Sequence, residues 1–189
     1  MKIFFAGTLP SFEKRKNDYL EIRQTILDSG FTIARDWVKE EIEGKIKTTW
    51  HERWELVQQA LSQADACILD CTLMDVFVGE QLAMIVERGM PLLLLIDGSQ
   101  ENTQDSPLTE YFISKDHLKY IKKEKYTKET LRQIVADFLE WVKENKRIVR
   151  FNLEIGKDLD DYLKDKANKN NSSKSEEIRK LIVENMETN

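Results

Sequence analysis

The sequence predicts an α/β fold, a doubly wound parallel sheet over residues 1–146, with a small strand–helix–helix segment appended over residues 147–189. Three observations predict it. Short apolar runs at 2–6, 31–34, 66–70 and 91–96 alternate with stretches whose apolar residues recur at helical spacing. The chain is 189 residues long, 41% hydrophobic and 33% charged, which suits one ordinary domain plus an appendage. From Arg147 onward the hydrophobic period changes to a strict alternation, which marks a second unit.

In chain order, Lys2-Ile3-Phe4-Phe5-Ala6 ends at Gly7 and reads as a buried parallel strand. A loop with Pro10 and Ser11 follows. Tyr19, Leu20, Ile22, Ile26 and Leu27 then share a helix face, and Gly30 stops that helix. Phe31-Thr32-Ile33-Ala34 makes a second strand. Residues 38–49 are polar, rich in Lys and Glu, and show no clear face, so they read as an excursion over the site or a loosely packed helix. Helical spacing returns with Trp54, Val57, Leu61 and Ala64. Residues 66–70 form a third strand ending on Asp70, and residues 79–88 form a helix capped by Gly89. Residues 91–96 are the most apolar run and fit a central strand. A polar loop at 99–106 and a weak strand around Lys119-Tyr120-Ile121 come next. A long helix over 128–143 carries Leu131, Ile134, Val135, Phe138, Leu139 and Val142 on one face.

The totals exclude some functions. A net charge of -5 argues against a protein that coats nucleic acid over its whole surface, while leaving room for one small DNA-reading element. No apolar run approaches the roughly 20 residues that span a bilayer. The opening apolar stretch is too short for a signal peptide and meets Glu13-Lys14-Arg15-Lys16 at once, so a cytoplasmic protein with no membrane partner is expected. Cys67 and Cys71, roughly 13 Å apart along a strand, are too distant for a disulfide and read as reduced core thiols. No metal or cofactor is expected, since His51 and His117 have no Cys or carboxylate at ligand spacing.

In a doubly wound sheet the binding crevice lies at the carboxyl ends of the strands. That rim gathers Gly7-Thr8, Asp36, residues 70–79 and Asp97. Here Asp70-Cys71-Thr72, then Asp75-Val76-Phe77-Val78-Gly79-Glu80-Gln81-Leu82-Ala83, together with Phe4-Phe5-Ala6-Gly7-Thr8 and Gln63-Ala64-Asp65-Ala66, resemble the nucleoside 2-deoxyribosyltransferase family over about residues 1–140. The resemblance implies a flavodoxin- or Rossmann-like sheet. It also implies a glutamate nucleophile near the start of the helix after the third strand, within a pattern of glycine, any residue, then Glu-Leu-Gly. That carboxylate attacks the anomeric carbon of a nucleoside, the base departs, and a glycosyl-enzyme forms. An anion suits this chemistry because it both stabilises and traps an oxocarbenium-like transition state.

The residues depart from the family at telling places. Aligned without gaps, Gly79 takes the glycine and Gln81 takes the nucleophile's position. Glu80 is adjacent, but one helical step turns a side chain by about 100°. Phe77 stands where the family often has glycine, which narrows the pocket. A further acidic family position falls by spacing at Val57, with Glu55 two residues off. Asp75 matches an aspartate that contacts sugar or base, and Phe5 and Gly7 match the strand end and turn that line the sugar site. The candidate site is therefore Gln81, Glu80 and Asp75 for chemistry, with Phe5, Gly7, Thr8, Asp70 and Gly79 for ligand binding. Simpler uses stand beside these: Asp70 and Asp75 suit turn or helix caps, and Gly7 suits a tight turn. Gln81 suits a helix surface, and Lys14, Arg15 and Lys16 a solvated helix face. Trp37, Trp50 and Trp54 suit either stacking on a base or ordinary packing.

In the tail, Val149, Phe151, Leu153 and Ile155 alternate with Arg150, Asn152 and Glu154. A helix with Leu159, Tyr162, Leu163 and Ala167 follows, then the turn at 168–172. Ser173 and Glu176 form a capping box opening a helix with Ile178, Leu181, Ile182 and Met186. This order resembles the ribbon-helix-helix family of transcription factors, which implies an intertwined homodimer. It also implies DNA contacts from Arg150, Asn152 and Glu154 on the ribbon and from Ser173 and Lys174 at the second helix. The balanced charge of the tail leaves dimerisation alone and DNA binding both open.

Three readings follow. The chain is a nucleoside- or nucleotide-binding protein that has lost or altered the glycosyl chemistry, an active N-glycosidase or deoxyribosyltransferase using Glu80 or Asp75, or a ligand-sensing DNA-binding regulator. The first fits the glutamine at position 81 best.

Overall fold

Five strands, β1 (Lys2–Ala6), β2 (Thr32–Ile33), β3 (Ala66–Asp70), β4 (Leu92–Asp97) and β5 (Ile121–Tyr126), pair in parallel in the order β2-β1-β3-β4-β5 in the computed structural model. This is the flavodoxin-like order of a doubly wound sheet, so the expected fold class is borne out. The structure describes residues 1–46, 49–73, 75–99, 120–145, 153–170 and 172–187, and it divides into two units, Met1–Ile148 and Val149–Asn189.

The pleat decides what each face of the sheet buries. Ile3 and Phe5 of β1, Ile68 of β3, and Leu93 and Leu95 of β4 face one side. There they meet α1 (Phe12–Asp28) and α5 (Leu131–Glu144) through Tyr19, Ile22, Ile26, Val135, Phe138 and Leu139. Phe4, Ala6, Cys67, Leu69, Leu92 and Leu94 face the other, against α3 (Trp50–Gln63) and α4 (Val76–Glu87) through Leu61, Val78, Leu82 and Ile85. Burial pushes both cysteine thiols up from their ordinary value, as inert core thiols require.

Several elements differ from the sequence-based expectation. Of the stretch 38–49, read as an excursion over the site or a loosely packed helix, the first residues belong to a short helix, α2 (Trp37–Ile42), opened by Asp36 accepting from Lys39 N at 3.3 Å. A six-residue helix is too short to display a periodic face, so its cap was the better signal. The helix expected from residue 79 begins at Val76, because Asp75 accepts from Val78 N at 2.8 Å and caps it there. Strand β5 runs to Tyr126 rather than fading near 121. It is an edge strand, and the charges of Lys122-Lys123-Glu124-Lys125 that hide it in the sequence are tolerated at an edge.

In the second unit, α6 (Lys157–Asn170) and α7 (Lys174–Glu187) are joined by a turn built on a buried carboxylate. Glu177 accepts from Ser172 Oγ at 2.5 Å, Asn170 Nδ2 at 3.1 Å and Lys180 Nζ at 3.2 Å. These partners, Ser172 foremost, hold its carboxyl at about 2. The capping box at the start of α7 is present, with Glu176 N donating to Ser173 Oγ and Ser173 N to Glu176. Arg150, Asn152 and the expected ribbon up to residue 152 lie outside the described residues. Leu153, Glu154 and Ile155 carry no regular structure.

Candidate functional site

The chain leaves β1 for the edge strand β2, then crosses back to β3, so the strand order reverses beside β1. Such a reversal splays the connections apart and opens a crevice at the carboxyl ends of the strands. A cavity of about 360 Å³ lies there. It is lined by Phe4, Phe5, Ala6 and Gly7 from the end of β1, by Leu9 and Pro10 just after it, and by Arg35 and Trp37 after β2. Ile46, then Arg53, Trp54 and Val57 of α3, and Asp75, Phe77 and Gln81 at the start of α4 complete it. Its volume is in the range of small-molecule sites, about 300–1,000 Å³, and its walls are mainly apolar and aromatic with a few polar groups, as such sites are.

The helical phase of α4 sorts the three candidates for chemistry. Gln81 is buried and lines the cavity, whereas its neighbour Glu80 is exposed and does not. Asp75 lines the cavity and also caps the helix. Phe77 lines the cavity as the bulk at a family glycine position suggests. Val57 and not Glu55 reaches the cavity; Glu55 is exposed and lies 3.3 Å from His51.

Gly7 is needed for space. A Cβ there would meet the Tyr19 ring and hydroxyl at 2.9 Å. Tyr19 in turn packs edge-on against Trp37 at 5.2 Å between ring centroids, and Phe5 lies 5.8 Å from both. The glycine thus lets an aromatic cluster support the indole that walls the cavity. Gly79, by contrast, lies inside α4 with open space where a Cβ would stand.

Thr8 and Asp70 do not line the cavity; they hold the loop that does. Thr8 Oγ1 donates to Leu73 O at 2.5 Å. Thr72 Oγ1 donates to Asp70 Oδ1 at 2.6 Å and accepts from Asp97 N at 2.9 Å. The loop from β3 to Asp75 is therefore tied to both β1 and β4. Behind it Arg15 is buried, with Nε donating to Asp70 Oδ2 at 2.8 Å, Nη1 to Asp97 at 3.3 Å, and Nη2 to the Tyr126 hydroxyl and near Asp18. Burial, with repulsion from Asp97 and Asp70, pushes the Asp18 carboxyl up despite Arg15 beside it. Asp97 is partly buried too, but its bonds from Ser99 and Arg15 hold its carboxyl down. Arg15, expected on a solvated helix face, is a core residue because these carboxylates compensate its charge.

Sequence reasoning missed Arg35 and Arg53. Arg35 follows the end of β2 at the rim, one residue before Asp36, and forks onto Glu40 at 2.8 and 3.1 Å. Arg53 is one residue from Trp54, and only its helical phase could have disclosed it. Ser173 caps α7, and Lys174 Nζ lies 2.5 Å from Asp160, which also takes Lys164. Among the described residues no helix is long and apolar enough to cross a membrane.

Fold and site together define an α/β protein with a ligand-sized aromatic cavity at the switch point of its sheet. No family model matches the chain, and no curated protein does. Among solved structures it is similar to the CMP N-glycosidase BcmB of Clostridium botulinum, with 11% identity over 78% of this chain and 100% of that one and a TM-score of 0.50. At that identity the likeness is one of fold.

Proposed function

We propose that this chain is a nucleoside- or nucleotide-binding protein whose cavity has lost the glycosyl chemistry of the deoxyribosyltransferase-like fold, and that it self-associates through its tail. The observation that carries the reading is Gln81. A neutral carboxamide is buried in the cavity at the position where the family resemblance puts the nucleophile, and the neighbouring carboxylate of Glu80 is exposed outside it. A carboxamide neither attacks the anomeric carbon effectively nor offsets positive charge developing there. The fold neighbour, a CMP N-glycosidase by name, supports a nucleotide as the ligand class. A second reading, an active N-glycosidase, is favoured by Asp75, a carboxylate on the cavity wall.

Base release from a panel of nucleosides and nucleoside monophosphates separates the two. The wild type is expected to be inert, with Gln81→Glu gaining release. Release by the wild type that Asp75→Asn abolishes would establish the enzyme instead.

The tail supports self-association by what it leaves uncovered. Leu153, Leu159, Tyr162, Ile182 and Val183 are all exposed in a unit of about 40 residues, a size that seldom folds without a partner surface. The DNA-binding reading would engage Arg150, Asn152, Glu154, Ser173 and Lys174 of the same unit.

A further inference from the structure

Trp37 and Gln81, both lining the cavity, each carry a buried side-chain polar atom with no hydrogen-bond partner among the described residues: the indole Nε1 and the carboxamide Oε1. Both side chains are more than nine-tenths buried, Trp37 at 9% exposure and Gln81 at 8%. An indole nitrogen can only donate, and a carboxamide oxygen can only accept. The charged side chains that line the cavity are differently placed: Asp75 is engaged by Val78 N, Arg35 by Glu40, and Arg53 has an interaction of its own. Buried polar groups in folded proteins are nearly always paired, and one left unpaired is destabilising, so each such group calls for an explanation. Two of opposite sense in one ligand-sized cavity explain each other if a ligand pairs both.

We infer that Trp37 and Gln81 are the polar recognition points of this cavity, and that its ligand presents a hydrogen-bond acceptor to Trp37 and an N–H or O–H donor to Gln81. The inference rests on the nucleoside or nucleotide reading of the cavity and adds what selects among such ligands. Nucleosides carry the required donor in two places, on the sugar hydroxyls and on the base. A neutral donor is favoured at position 81, whereas a phosphate oxygen there would face another acceptor. Phe5, Trp54 and Phe77 supply apolar walls for a planar ring.

The test uses the full chain and two readouts. In the ligand-free protein, Gln81→Met replaces an unpaired buried amide by an apolar side chain of similar length. It is expected to raise the unfolding midpoint by about 2–4 °C. A lower midpoint would mean that the oxygen has a structural partner, and would overturn the inference. In calorimetric titrations with free nucleosides and nucleoside monophosphates, Gln81→Met and Trp37→Phe are each expected to weaken the best-bound ligand on the order of ten- to hundred-fold. If both variants bind as the wild type does, the inference fails while the cavity remains a nucleoside site. If nothing in the panel binds the wild type, the nucleoside reading fails and takes the ligand class with it. Analogues of the best ligand lacking the 2′- or 3′-hydroxyl, or methylated on a base nitrogen, then locate the donor. The analogue that loses affinity for the wild type but not for Gln81→Met has lost the group that Gln81 accepts from. If no analogue loses affinity for the wild type, no donor is being read and the inference is overturned.

Discussion

Gly7 and Gly79 show how one residue type does two unlike things within a single site. At Gly7 a methyl group would stand 2.9 Å from the Tyr19 ring, while at Gly79 it would meet nothing within 4 Å. Gly7→Ala is expected to cost about 1–3 kcal/mol, as overpacking does. Gly79→Ala, in the body of a helix, is expected to stabilise by about 0.5–1 kcal/mol. Urea unfolding of the two variants measures both signs. The family resemblance drew attention to both glycines equally, and only packing tells them apart. The same holds for Glu80 and Gln81. Their difference in burial was legible from the 100° step of a helix, because that argument needs no tertiary information. Arg15 was not legible. Nothing local in Glu13-Lys14-Arg15-Lys16 says which of three cations will meet Asp70, a residue 55 positions away.

Among elements, the start of α4 brings Asp75, Phe77 and Gln81 to the cavity. Its cap residue, Asp75, also lines the cavity, so a ligand contact there would share one side chain with the cap. Asparagine caps nearly as well as aspartate, whereas alanine does not. Asp75→Asn is therefore expected to change stability by less than about 0.5 kcal/mol and Asp75→Ala to cost about 1 kcal/mol, measured by thermal unfolding. Ligand affinity is expected to fall in both variants, which would separate the carboxylate's charge from its capping role. Affinity unchanged in Asp75→Asn would leave Asp75 a cap alone. The long apolar elements were readable because their burial is repeated: β4 presents Leu92 to Ile96 without interruption, all buried. Elements with only two buried side chains, such as α2 with Trp37 and Val38 and β5 with Ile121 and Tyr126, gave the sequence too little period to read.

For the whole molecule, the doubly wound sheet was legible from the alternation of strands and helices, and the strand reversal beside β1 followed from that class of fold. The membership of the cavity was less legible. It draws on five chain segments from Phe4 to Gln81, and no single segment shows that Arg35 and Arg53 meet in it. The tail supplies the test of assembly. If its exposed apolar residues meet a second copy, the wild type sediments as a dimer and Tyr162→Glu, at a side chain 54% exposed, sediments as a monomer. A wild type that is monomeric at micromolar concentration would remove the tail from any role in self-association.

Arg15 also sets a schedule for synthesis. Its partners Asp70, Asp97 and Tyr126 lie 55, 82 and 111 residues further along the chain. On a ribosome adding 5–20 residues per second, the last of them follows Arg15 by roughly 6–22 s. Early in that interval Arg15 has none of these partners, and burying its unpaired charge is expected to disfavour premature collapse of the half-made sheet. The charge that makes Arg15 an unlikely core residue would thus keep the growing chain hydrated until the strand bearing Tyr126 arrives.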